Sequence, residues 1–198
     1  VSNLSTETVV FDVSDCKVYP LLTDVTGASP TYGAAVDVPG IAQVSLEPNL
    51  TSAELKGDSR IIAKRGRVDR FNFSATYGKL SLDVLNTLLG SSTLNAQGTT
   101  PSRTQNLVIA SPGSSPYFKL EFLIADVDEG IGSLNVILFK CLLTGGTLFQ
   151  SSSDSFGQPS LQCEAIATNG GYTPPGGSLV TNPILALQLN ETAANLSS

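Results

Sequence analysis

Hydrophobic and polar positions alternate most cleanly between Arg70 and Tyr77. Phe71, Phe73, Ala75 and Tyr77 fall on one side, Arg70, Asn72, Ser74 and Thr76 on the other. A period of two marks a strand with one dry face. The same period runs through residues 41 to 47, where Ile41, Gln43 and Ser45 oppose Ala42, Val44 and Leu46. Further strands are predicted at 16–22, 34–38, 107–110, 117–125, 133–143, 161–167 and 179–189. In the 117–125 segment Phe118, Leu120, Phe122 and Ile124 oppose Lys119, Glu121 and Leu123. Residues 133–143 are apolar on both sides in the middle, which suits a central strand or one flanked by a second layer. Pro183 places its own position at an edge or a strand beginning.

One segment changes period. Leu82, Leu85, Leu88 and Leu89 recur at three- and four-residue intervals and line one side of a short helix over 81–89. Ser81 is the N-cap, Asp83 lies near the positive helix end, and Gly90 suits the position past the C-terminus. Two stretches show no period: 91–105, read as loop, and 48–66, a long connection containing Pro48, Gly57 and Gly66. Long loops in compact domains are generally functional or mobile. The pattern as a whole predicts a mainly β protein. It is a β-sandwich or small barrel with one flanking short α-helix and a long inter-strand loop. The expected division is an N-terminal arm or first strand at 1–15, one domain over 16–189, and a C-terminal arm at 190–198.

Composition narrows the function. The chain has 198 residues, enough for a sizeable core, and only 14% of them are charged, against about 25% in typical domains. So little charge suggests a surface partly covered by other copies. The net charge of −6 disfavours non-specific binding to DNA or anionic lipid. Cys16, Cys141 and Cys163 are odd in number and widely spaced, so they read as small buried apolar residues. No positively charged start precedes an apolar run, so no secretory leader is expected, and no apolar stretch is long enough for a membrane span.

The chain contains no histidine, which removes the Ser-His-acid triad, the Cys-His pair and His-based metal sites. No phosphate-cradling glycine motif is present. The acidic run Asp126, Asp128, Glu129 lacks the ligand order of a calcium loop and reads as a hairpin tip. The expectation is a protein that is not an enzyme, with no cofactor and no metal. What stands out is RIIAKRGRVDRFNF at 60–73, which holds five of the eleven basic residues. Arg60, Lys64, Arg65 and Arg67 suffice locally for a phosphate grip, yet no aromatic platform accompanies them. They equally suit a solvated loop, or a latch to an acidic region of another copy. The candidate acidic partners are Asp126, Asp128 and Glu129, or Glu47, Glu54 and Asp58.

Two stretches carry a family resemblance: VYPLLTDVTGASPTYGAAVDVPGIAQVSLEPNLTSAELKGDS and the strand–helix unit FNFSATYGKLSLDVLNTLLG. Together they cover about residues 18 to 90, and in their order the chain resembles the major tail proteins, or tail tube proteins, of long non-contractile-tailed bacteriophages. The resemblance implies a β-sandwich flanked by a helix, joined into hexameric rings that stack into a hollow tube for DNA ejection. It places residues 48–67 at the adjacent ring and gives the terminal arms inter-ring roles. The implied partners are other copies of the chain, tail proteins at the tube ends, a tape measure protein in the lumen, and double-stranded genomic DNA that passes without sequence-specific binding. The implied location is the phage tail of the virion, assembled in the host cytoplasm. Inner-wall candidates are the alternate polar residues of 70–76 and 117–124. With about four strands per subunit at about 4.8 Å spacing, such a ring has a bore of about 27 Å, wide enough for a duplex about 20 Å across. The alternatives are another virion β-sandwich, such as a head decoration or fibre module, and a soluble carbohydrate-binding or adhesion domain.

Overall fold

The computed structural model describes residues 12–57, 60–79, 81–90, 92–111, 114–127, 132–149, 153, 157–190 and 196. The chain is mainly β, with antiparallel strands and, among the described residues, one short helix. In order these are β1 (Asp12–Thr23), β2 (Thr31–Tyr32), β3 (Val36–Asp37), β4 (Ile41–Gly57), β5 (Arg60–Tyr77), α1 (Leu82–Leu89), β6 (Ser92–Gln97) and β7 (Thr104–Ile109). After these come β8 (Phe118–Val127), β9 (Gly132–Gly145), β10 (Ser160–Ala165), β11 (Gly171–Tyr172), β12 (Val180–Thr181) and β13 (Leu185–Asn190).

The main sheet runs β2-β1-β8-β9-β10-β5-β4, with β3 paired to β1 and β13 paired to β9. Strand β9 splits its second edge. Ser133–Leu138 pair with β13, and Cys141–Gly145 pair with β10. The sheet also curls. Phe73 on β5 and Phe122 on β8 are three strands apart, about 14 Å in a flat sheet, yet their ring centroids lie 5.6 Å apart. The alternating apolar residues predicted on strands 70–77 and 117–125 therefore meet each other inside one core. Phe73, Ala75, Tyr77, Phe118, Leu120, Phe122 and Ile124 are all buried there, with Cys16, Cys141 and Cys163 among them as free thiols. Burial pushes the Cys16 and Cys141 thiols well above their ordinary value.

Helix α1 closes the core as the leucine spacing predicts. The Ser81 hydroxyl accepts from the Val84 N–H at 3.4 Å, and Gly90 beyond the last turn has φ 55. A side chain at Gly90 would collide with Pro116 and the Ser114 carbonyl. The buried stripe is Val84, Leu85 and Leu88, whereas Leu82 and Leu89 are only half-buried. Val84 escapes a leucine-only reading. Because Leu88 joins the central core while Leu85 packs at its margin, Leu88→Ala is expected to cost about 2–5 kcal/mol. Leu85→Ala should cost less, and urea unfolding of the two variants checks the order.

The long connection predicted at 48–66 is not a loop. Strands β4 and β5 stay paired from Ile41↔Tyr77 out to Gly57↔Arg60, with bulges near Asn49 and Leu55. Every described side chain from Leu50 to Val68 is exposed. With water on both faces the strand needs no dry side, so period two never appears in the sequence. The same reason hid β6, which pairs with β7 as a second exposed hairpin where 91–105 reads as loop. At the N-terminus, Asp12–Asp15 belong to the first strand, and the rest of the predicted arm lies outside the described residues. Of the predicted C-terminal arm, Asn190 ends β13, and Leu196 is buried with its carbonyl accepting from Lys17 Nζ at 3.3 Å.

Candidate assembly surfaces

The distal half of the β4–β5 hairpin is the first candidate surface. Eight residues of β4, Leu50 to Gly57, continue beyond the body, a reach of about 26 Å. Five large aliphatic side chains ride on it: Leu50, Leu55, Ile61, Ile62 and Val68, between 42% and 66% exposed. Ile62 is the extra residue of the bulge between Ala63 and Ile61. Exposed aliphatics on a free two-stranded ribbon are an aggregation hazard unless something covers them.

The cations of this ribbon divide into two groups. Lys64 Nζ lies 3.0 Å from Glu54 Oε1, and Lys56 contacts the same carboxylate at 4.0 Å. Arg67 Nε lies 2.6 Å from Asp69 Oδ1, and Arg70 Nη1 lies 3.0 Å from Glu164 Oε2. The Asp69 carboxyl is held below its usual range, chiefly by the Thr51 hydroxyl that donates to it and then by Arg67 and Arg70. Among the described residues no carboxylate pairs with Arg60 or Arg65, the two arginines nearest the tip. Lys64 and Glu54, both contact candidates by sequence, are thus joined within one hairpin. Asp58, Asp128 and Glu129 lie outside the described residues, and Asp126 is described only as backbone in β8.

Charge is segregated along the chain. Residues 41–77 hold six cations and four carboxylates, a net +2, which leaves −8 on the remainder of a −6 protein. Two of the remaining cations, Lys119 and Lys140, are buried in ion pairs. Residues 41–77 are thus net basic and the rest of the chain net acidic.

The second surface is the face of β4, β5 and β10 turned away from the core. Cross-strand register aligns three rows: Gln43, Thr76 and Ser160; Ser45, Ser74 and Gln162; Glu47, Asn72 and Glu164. Nothing in the described structure covers these rows, which line two shallow depressions of about 320 and 170 Å³. The face is hydroxyl and amide with two carboxylates and one guanidinium, that of Arg70, at its edge.

The chain matches no protein-family profile and no curated protein by sequence.

The predicted polar side of 117–124 has a different fate. Lys119 and Glu121 are covered, with side chains only 13% and 7% exposed, so they cannot line an open wall. Glu121 accepts from Lys119 Nζ at 2.8 Å and from the Tyr19 hydroxyl at 3.0 Å, and the ammonium sits 3.8 Å from the Tyr19 ring centroid. Tyr32 and Tyr172 complete the cover around a cavity of about 120 Å³. A buried charge pair survives because each partner is satisfied. Sequence alternation marks polarity, and a paired, buried Lys-Glu is still polar.

Asp24 holds this cover down. Its carboxylate accepts from Lys140 Nζ at 2.7 Å and from the Asn169 and Gly170 N–H groups at 2.8 and 3.0 Å. Burial alone would raise its pKa, but these three contacts and the charge of Lys140 outweigh it and hold the carboxyl below its usual value. A carboxyl depressed in the folded state contributes stability above its unfolded pKa, and that contribution is lost as pH falls through the folded value. Urea midpoints measured downward from pH 6 should therefore fall less steeply in Asp24→Asn, which starts lower, than in the parent protein.

Proposed function

We propose that this chain is a structural subunit that joins copies of itself into stacked rings around an open bore, as in the phage tail tubes that its sequence resembles. The observation that carries this reading is the β4–β5 ribbon. It extends beyond the body with five exposed aliphatics and two arginines that no described carboxylate pairs, and the chain outside residues 41–77 carries a net −8. A free monomer has no use for such a ribbon, whereas a neighbouring copy would cover it. The polar rows of β4, β5 and β10 supply a wall of small hydroxyl and amide groups with little positive charge, which suits a bore that a polyanion slides through. In this reading the curled sheet is the tail-tube sandwich, and the free edge of β4 joins a neighbouring subunit laterally, which removes an exposed edge.

A carbohydrate-binding role would need an exposed aromatic shelf; Tyr19, Tyr32 and Tyr172 pack over the Lys119–Glu121 pair, which leaves Tyr117 and Phe149 as the exposed rings among the described large hydrophobic residues. Sedimentation across protein concentration and salt tests the proposal. Assembly that grows with concentration and slows as ionic strength rises is expected for contacts between exposed charges. A monomer under every condition would overturn it.

A further inference from the structure

The same ribbon that holds Arg60 and Arg65 near its tip with no carboxylate partner among the described residues neutralises the two arginines nearest the polar face. Arg67 is bound by Asp69 and Arg70 by Glu164. Register puts Glu164 beside Asn72 on the polar rows, with Glu47 on the other side of Asn72. Arg70 is partly exposed, its side chain 44% accessible, and so is Glu164 at 35%. Both are reachable by a ligand lying on the face. The residues beneath are hydroxyls and amides, which donate hydrogen bonds to phosphate oxygens readily but add no charge. What such a face lacks for holding a phosphodiester backbone is free cation, and two are present but capped.

We propose that Glu164 and Asp69 are masking residues, which keep Arg70 and Arg67 from gripping the phosphates of a nucleic acid at the polar face. The face is a latent phosphate-contact site that these carboxylates hold closed. This rests on the proposed conduit only for its biological use, since the masking itself is a property of the single subunit. Removing a carboxylate does two things at once. It frees a planar donor fork suited to phosphate, and it deletes a negative charge that repels the incoming backbone.

The test is binding of a fluorescent duplex of random sequence to the isolated, folded subunit at low salt, followed by anisotropy. Asp69→Asn/Glu164→Gln should bind roughly tenfold more tightly than the parent protein, with a log–log salt slope steeper by about 0.9 for each phosphate newly neutralised. Glu164→Gln and Asp69→Asn alone should each give part of the gain, and either can stand in should the double variant fail to fold. Adding Arg67→Gln and Arg70→Gln should return affinity and slope to the parent values. Equal affinity in parent and carboxylate variants would overturn the proposal. So would a gain that survives loss of both arginines, or one lost equally when Arg60→Gln and Arg65→Gln replace those two changes at the same net charge, because the latter would be a general charge effect. None of these measurements requires assembled tubes, so failure of the parent to assemble would count against the conduit alone.

Discussion

Arg60→Glu/Arg65→Glu subunits are expected to remain monomeric at concentrations where the parent protein assembles, while folding normally. Both arginines are exposed and neither has a carboxylate partner among the described residues. Reversing them breaks no ion pair among the described residues, so the change in folding stability should stay within about 0.5 kcal/mol. Assembly is another matter. Residues 41–77 would pass from net +2 to net −2 against −8 on the rest of the chain, and attraction becomes repulsion at every contact between copies. Charge pairs across an interface govern encounter and register, and the effect repeats at each subunit added. Arg67→Glu is the internal control. Arg67 is already bound to Asp69, so its reversal should weaken assembly less. Unfolding midpoints and sedimentation on the same preparations check both halves of the expectation, and normal assembly of the Arg60/Arg65 variant would remove the ribbon from the interface.

The largest effect on stability is expected at Phe73. Its ring is 2% exposed and touches Phe122 across the curl of the sheet, 5.6 Å between centroids. Phe73→Ala should cost about 3–5 kcal/mol, a large share of the roughly 5–15 kcal/mol that holds a domain together. A double-mutant cycle with Phe122→Ala makes the geometry itself testable. Rings in contact should couple by about 0.5–1.5 kcal/mol. Strict additivity would mean the rings do not meet and the sheet does not curl as described.

The strands that meet the core were legible in the sequence, because a dry face imposes alternation. Phe71, Phe73, Ala75 and Tyr77 show this, and so do Phe118, Leu120, Phe122 and Ile124, which all point inward as the period demands. Helix α1 was legible for a similar reason, since Ser81 and Gly90 punctuate it at both ends. The ribbon from Leu50 to Val68 was not, because a strand wet on both faces has no period to read. Its basic residues drew attention as a cluster, but which of them are spent on Glu54, Asp69 and Glu164 depends on cross-strand register. That register shifts at three places along β4, between Ile41 and Gln43, at Asn49/Leu50 and at Leu55/Lys56, and no local pattern announces them. The polar residues Lys119 and Glu121 misled in the opposite sense. Alternation placed them off the core correctly, but the cover of Tyr32 and Tyr172 comes from distant parts of the chain.

Electron cryo-microscopy of the purified chain, concentrated at low salt, is the most direct test of self-assembly through the ribbon. Stacked rings should appear, each β4–β5 ribbon seated on an adjacent ring, with Ser45, Ser74 and Gln162 facing an open centre. Particles in which the ribbon touches no other copy, or in which those three residues face outward, would contradict it.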